Sequence, residues 1–252
     1  MDEMELGCCV YTVADEFAKA PYETLYKLAE MGYTCTEIGD FTILGVSDWV
    51  AAQKSTGLKM ACTHFAVHYQ EAWTKHIIEF ARALGSRRIG YPALRQTAAG
   101  AKEDYLREAE VMNRLGRIYA EYGIRMIYHN HDFEFAVFGG EYGLDILREN
   151  TDPAYVGFEL DTYWIARGGE IPESYINKFA GRCDIVHFKD MAEDGFFAPV
   201  GEGTLNIGAI FEAAAASGAK IAMVEQDAHR KPSLECAKSS YDCLSKMIKG
   251  RE

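Results

Sequence analysis

Four apolar, β-branched runs in the second half of the chain finish in metal-binding chemistry. The first closes on His129 and His131 within Tyr128-His129-Asn130-His131-Asp132-Phe133-Glu134, the second on Glu159 and Asp161, the third on His187 and Lys189, and the last on Glu225 and Asp227. Side chains two residues apart on an extended strand share a face, so each pair can point into one site. Neutral imidazoles mixed with carboxylates suit Mn²⁺, Zn²⁺, Fe²⁺ or Co²⁺ better than Ca²⁺, and the lack of thiols at these ends argues against a structural zinc. A cation so held polarises a carbonyl while a flanking carboxylate or imidazole moves a proton. Singly, each of these residues is more often a satisfied structural group than a ligand, and for the set the plain alternative is a hydrogen-bonded network. Four such ends on neighbouring strands favour the metal.

The elements that must position these residues repeat regularly. Strand character falls at 6–11, 34–39, 59–64, 88–91, 125–131, 155–161, 185–189 and 221–225. Helical periodicity falls at 21–31, 46–56, 71–84, 102–122, 143–149, 173–179, 207–216 and 233–248, and five of these helices run into Gly32, Gly57, Gly85, Gly123 or Gly218, which suit a left-handed C-cap. Eight strand-helix units, with no linker between them and no glycine-rich phosphate loop after the first strand, predict an α/β fold: a (β/α)8 TIM barrel forming one domain over residues 1–252. In that architecture the active site lies at the C-terminal ends of the strands, where the four pairs sit.

Composition narrows the partners. The chain has 252 residues, 48% of them apolar and 25% charged, with a net charge of −12. That balance speaks against general binding to nucleic acid or to an anionic membrane surface. The start, Met1-Asp2-Glu3-Met4-Glu5, is acidic and followed by no long apolar run, so neither a secretory signal nor a spanning helix is expected and the protein is read as cytoplasmic. Seven cysteines, odd in number and without CxxC spacing, are expected to be reduced core residues.

Other signals are thinner. His64, at the end of the third strand, is a candidate substrate contact with an unemployed loop imidazole as its equal alternative, and Glu37 has the place of an ion-pair residue at the barrel mouth. Trp164, beside Tyr163, offers an apolar wall to a sugar ring or else packs its own loop. Trp73 and His76 read as surface or core residues on a helix. The Pro199-Val200-Gly201-Glu202-Gly203 stretch has the glycines of a tight loop able to close over a pocket.

At Glu159-Leu160-Asp161-Thr162-Tyr163-Trp164, His187-Phe188-Lys189-Asp190, the 199–203 loop and Val224-Glu225-Gln226-Asp227, the chain resembles the xylose-isomerase-like barrel superfamily, often called sugar phosphate isomerases/epimerases. The epimerase branch holds its metal through a Glu, an Asp, a His and a Glu on strands five to eight. The resemblance implies Asp161, His187 and Glu225 as ligands, with Glu225 also a candidate base. The first position departs: His129 stands where those epimerases have Glu, which looks more like the inosose dehydratase and keto-glycoside-processing branches. His129, at the strand end, is taken as the fourth ligand, with Glu134 folding back as the alternative and otherwise a substrate contact. The expectation is one divalent metal, manganese first and Co, Zn, Fe or Mg also suitable. Proton transfer falls to His131 or Glu159 and oxyanion stabilisation to Lys189. The reaction expected is isomerisation or epimerisation of a sugar or keto-sugar through an enediolate, or loss of a neighbouring hydroxyl or alkoxide as a lyase. Self-association into a homo-oligomer is left open. The rivals are an endonuclease IV-type enzyme, disfavoured by seven histidines and the negative charge, and a metal-free sugar-binding subunit, in which the clustered carboxylates would repel one another.

Overall fold

A computed structural model describes residues 4–39, 44–94 and 100–250. The barrel strands are β1 (Glu5–Cys9), β2 (Cys35–Ile38), β3 (Lys59–His64), β4 (Arg88–Tyr91), β5 (Arg125–His129), β6 (Val156–Asp161), β7 (Cys183–Phe188) and β8 (Ile221–Val224). Each pairs in parallel with its sequence neighbours, and β1 pairs with β8, so the sheet closes on itself. The helices are α1 (Ala14–Phe17), α2 (Pro21–Met31), α3 (Val46–Thr56), α4 (Val67–Ala72), α5 (Thr74–Ala83), α6 (Lys102–Ala120), α7 (Gly143–Asn150), α8 (Thr162–Arg167), α9 (Pro172–Lys178), α10 (Ile207–Ser217) and α11 (Ser233–Lys249). The expected (β/α)8 barrel is therefore observed, and each expected strand lies within two residues of its predicted bounds.

Strand alternation sorts the core into two parts. Residues such as Leu6, Cys8, Met126, Tyr128, Val186 and Phe188 face the helices in the large outer core. Cys9, Cys35, Ala61, Cys62, Ile127, Ile185, Ile221 and Met223 fill the barrel's interior. All seven cysteines are unpaired and six are buried, as expected of small core residues. Gly90 on β4 is required by packing: a Cβ there would sit 2.1 Å from the His64 ring, so its absence lets that imidazole lie across the barrel.

Two differences from expectation have local causes. The helix expected at 71–84 is broken at Trp73 into α4 and α5. The buried Gln70 amide donates to the carbonyls of Phe65 and Gly90 and accepts from the Tyr119 hydroxyl, which pins α4 to the barrel, while the Thr74 hydroxyl donates to the Gln70 carbonyl. The 199–203 loop does not close over a pocket. The buried Asp190 carboxylate accepts the backbone N–H groups of Gly201, Gly203 and Leu205 at 2.9, 3.0 and 3.2 Å, and the Val200 N–H donates to Ser240 on α11. Gly203 has no alternative here, because a Cβ would lie 2.3 Å from the Asp190 carboxylate. Among the described residues no helix is long and apolar enough to cross a membrane.

Candidate metal centre and its cavity

Register brings the last inward residues of β5 to β8 to one place: His129 lies beside Glu159, and Asp161 beside His187. One ligand atom each from His129, Asp161, His187 and Glu225 can be drawn within 4.8 Å of the others. Backbone ties hold these strand ends. The Thr162 hydroxyl bridges the carbonyls of His187 and Lys189 and accepts the Lys189 N–H, and Thr12 bonds the Val224 carbonyl and the Gln226 N–H. Asp161 is fixed by its own helix, since one carboxylate oxygen caps α8 by accepting the Trp164 N–H at 2.9 Å. Its other oxygen is buried with no hydrogen-bond partner, 3.5 Å from Lys189 Nζ. Such an oxygen costs about 1–3 kcal/mol or more unless something positive meets it. Two imidazoles and two carboxylates, one of them presenting this open oxygen, fit a divalent cation.

A second layer lies beneath. The Glu159 carboxylate is 2.7 Å from His64 Nε2, 3.2 Å from His187 Nε2 and 3.5 Å from His129 Nδ1. Glu37 reaches His187 Nε2 at 3.3 Å and His64 Nε2 at 3.4 Å, so it is an ion-pair residue of this layer. His187 thus turns Nδ1 toward Glu225, 3.0 Å away, and Nε2 toward the deeper glutamates, and a carboxylate beneath a ligating imidazole fixes its tautomer and ring plane. Glu37, Cys62, His64 and Glu159 also cluster within 4.8 Å of one another, with both Glu159 oxygens and His64 Nε2 buried without a hydrogen-bond partner, but burial pushes the Cys62 thiol up to about 12, which keeps it from serving as a thiolate ligand, so this group reads as the support of the first.

Electrostatics follows burial and charge. Burial alone would lift Glu159 and Glu225, but His187 and His64 hold the first, and Lys189 and His187 the second, well below the usual carboxylate range. Burial pushes Asp161 up to about 7, and burial with the Glu159 charge does the same to Glu37. Burial lowers His129 to about 4 and His131 to about 3, leaving both neutral at pH 7. Against burial, Glu225, Asp161 and Asp227 keep Lys189 firmly charged, with Nζ 2.6 Å from Asp227 and 3.1 Å from Glu225.

Above the centre opens a cavity of about 610 Å³. His64, His129, His131, Lys189 and Glu225 line it, as do Glu37 and Asp227. Of the donor group, His129 and Glu225 open onto it, while Asp161 and His187, like Glu159, are fully buried and do not line it. Glu134 is not among the residues lining the cavity: it is fully buried, accepting the Tyr128 hydroxyl and, at 2.8 Å, the His131 N–H. Trp164 also stands back, packed behind His131 and Lys189 with ring-to-ring and cation-to-ring distances of 5.2 and 5.0 Å. Trp73 and His76 are exposed on the outer helices. The sequence reading missed one part of the cavity, an apolar wall of Val10, Tyr11, Ala14, Phe17, Ala18 and Trp49. Its signal was the spacing of Tyr11, Ala14 and Ala18 just past β1, one helical face at the catalytic end of the barrel.

Fold and site together define a closed (β/α)8 barrel with a metal-capable donor group at the C-terminal ends of its strands. The model of the xylose isomerase-like TIM barrel family matches residues 25–247, and the chain belongs to that family. An inosose dehydratase of Mesomycoplasma hyopneumoniae is 23% identical over 272 aligned positions, covering 90% of this chain and 88% of the relative. A sugar phosphate isomerase/epimerase from Parabacteroides distasonis superposes with a TM-score of 0.86 at 24% identity, covering 97% of this chain and 94% of that one. An IolI protein solved with a bound zinc atom superposes at 0.77 with 16% identity, covering 98% and 99%.

Proposed function

We propose that this chain is a divalent-metal-dependent enzyme that removes the proton next to a carbonyl of a sugar or keto-sugar and returns it to give an isomer or epimer. The observation that carries this reading is the four-residue donor group, two of whose members, His129 and Glu225, line a cavity that the neutral His131 imidazole and the Lys189 ammonium also line. His129, Asp161, His187 and Glu225 hold the cation, for which manganese is the first expectation. When bound, it supplies Lewis-acid polarisation of the substrate carbonyl.

The other side chains divide the remaining work. His131, neutral and facing the cavity, takes the proton, and Glu225, which lines the cavity as well as the donor group, is the second candidate base. Lys189 places its charge where negative charge develops on the carbonyl oxygen. His64 meets a substrate hydroxyl from the cavity floor. Glu159 orients His64, His129 and His187 and does not move the substrate proton, since it has no opening to the substrate.

A second outcome has a specific observation in its favour. The inosose dehydratase relative aligns along most of the chain, and dehydration begins with the same proton removal before a hydroxide on the next carbon departs. In this reading the chain is a lyase, and proton and leaving group depart together as water or an alcohol.

The test is proton exchange in D₂O followed by NMR on a panel of ketoses, 3-keto-glucosides and inososes, with and without a chelator. Metal-dependent deuterium uptake next to a carbonyl is expected, and product structure separates isomer from elimination product. No uptake on any member by the metal-loaded chain would overturn the reading and favour a subunit that binds a sugar without turning it over.

A further inference from the structure

The cavity has two unlike sides. Its polar groups come from β5 and the residues just after β5, β7 and β8, with Glu37 on β2 and His64 on β3. The opposite side is the apolar wall built by α1, the turn before it and α3. In the barrel order β1 stands beside β8 and across from β5, so the wall begins next to Glu225 and runs away from His129 and His131. A single sugar ring seated at the donor group would leave this side unfilled, because about 300–1,000 Å³ is the range of pockets that enclose whole drug-sized ligands.

The chemistry of the wall selects its occupant. Phe17 and Trp49 are buried and stacked, with ring centroids 5.6 Å apart and planes 17° from parallel, and they form a rigid apolar base. Tyr11 stands at the rim, 60% exposed, as an aromatic face turned to solvent. Ala14 and Ala18, small side chains on the cavity side, leave room between them. A second sugar ring would bring several hydroxyls to a wall in which, among the described residues, only Tyr11 carries a hydroxyl, and unpaired hydroxyls in such a place are costly. A flat apolar group loses nothing there and gains burial and stacking.

We propose that this wall is a subsite for an aromatic aglycone, so that the substrate is a glycoside of a keto-sugar carrying an aromatic group and not a free sugar. The inference rests on the proposed proton-abstracting function for the orientation of the sugar, but the subsite itself is read by binding alone. The experiment is calorimetric titration of the full chain, supplied with Mn²⁺, with 4-nitrophenyl β-glucoside and with methyl β-glucoside. The aryl glycoside is expected to bind at least about tenfold more tightly, the effect of stacking one ring against a prepared wall. Tyr11→Ser and Ala14→Trp, the first removing the rim and the second filling the space, are each expected to reduce that ratio toward one. Equal affinity of the two glycosides for the unmodified chain would overturn the subsite, as would a preference that both variants keep. The D₂O exchange on keto-sugars fails or succeeds independently of this titration, so the two proposals can be lost separately.

Discussion

At the residue scale, Glu159 and Asp161 show what strand position can and cannot tell. Alternation places both inside the barrel, but two residues along a strand is about 6.6 Å, enough to put one in the metal layer and the other beneath it. Depth depends on the stagger between strands, and here the register shifts between Phe158 and Glu159, and again between Thr36 and Glu37, beside the two glutamates that support the histidines. So the pairs were legible in the sequence and the layering was not. Glu159→Gln keeps the shape but removes the negative charge that faces His64, His129 and His187. Metal affinity is expected to fall about 10–100-fold with little change in thermal stability, checked by competition with a fluorescent chelator. Unchanged affinity would make Glu159 a bystander.

At the element scale, the turn after β5 is organised by Glu134. Burial lifts its carboxyl from 4.5 to about 7, against the pull of the Tyr128 hydroxyl and the His131 N–H. The folded chain therefore holds a proton that the unfolded chain has already released. This group's contribution to stability is complete below about 4.5 and is lost as pH rises through about 7, a change of about 3 kcal/mol. Glu134→Gln should flatten that part of the pH dependence, seen as a smaller difference between melting temperatures at pH 5.5 and pH 8 than in the unmodified chain. Asp190 organises the next loop but one. Asp190→Ala strands the N–H groups of Gly201, Gly203 and Leu205 and is expected to cost about 2–4 kcal/mol in denaturant unfolding. Neither tie could be read from the sequence, where Glu134 looked like a spare ligand and the glycines like a lid. The break at Trp73 was hidden for the same reason, since the helical period runs through it and only the tertiary bonds of Gln70 stop the helix.

At the scale of the whole molecule, the barrel was the most legible feature, because eight short apolar runs separated by amphipathic helices leave few other ways to bury both faces of a parallel sheet. Closure of β1 on β8 makes the site, since it sets Glu225 beside the segment that follows β1 and so joins the donor group to the apolar wall. That wall escaped the sequence reading because the residues of the β1 turn and α3 meet only in the closed fold. A cation bridging four strands must also stabilise them together. Supplying Mn²⁺ at 100 times its dissociation constant is expected to add about 2.7 kcal/mol, visible as a higher melting temperature that EDTA reverses. No shift would mean that the folded chain binds no Mn²⁺ in preference to the unfolded chain.

The most direct test of the centre itself is elemental analysis of the purified chain beside its His187→Ala variant. The ring of His187 touches Glu225 on one side and Glu159 on the other, so its loss removes a ligand and uncouples the support beneath. The account predicts close to one divalent metal per chain for the unmodified protein, and a variant that retains less than about a tenth of it under the same dialysis. A variant that keeps its full metal content would contradict the assignment of His129, Asp161, His187 and Glu225 as the metal centre.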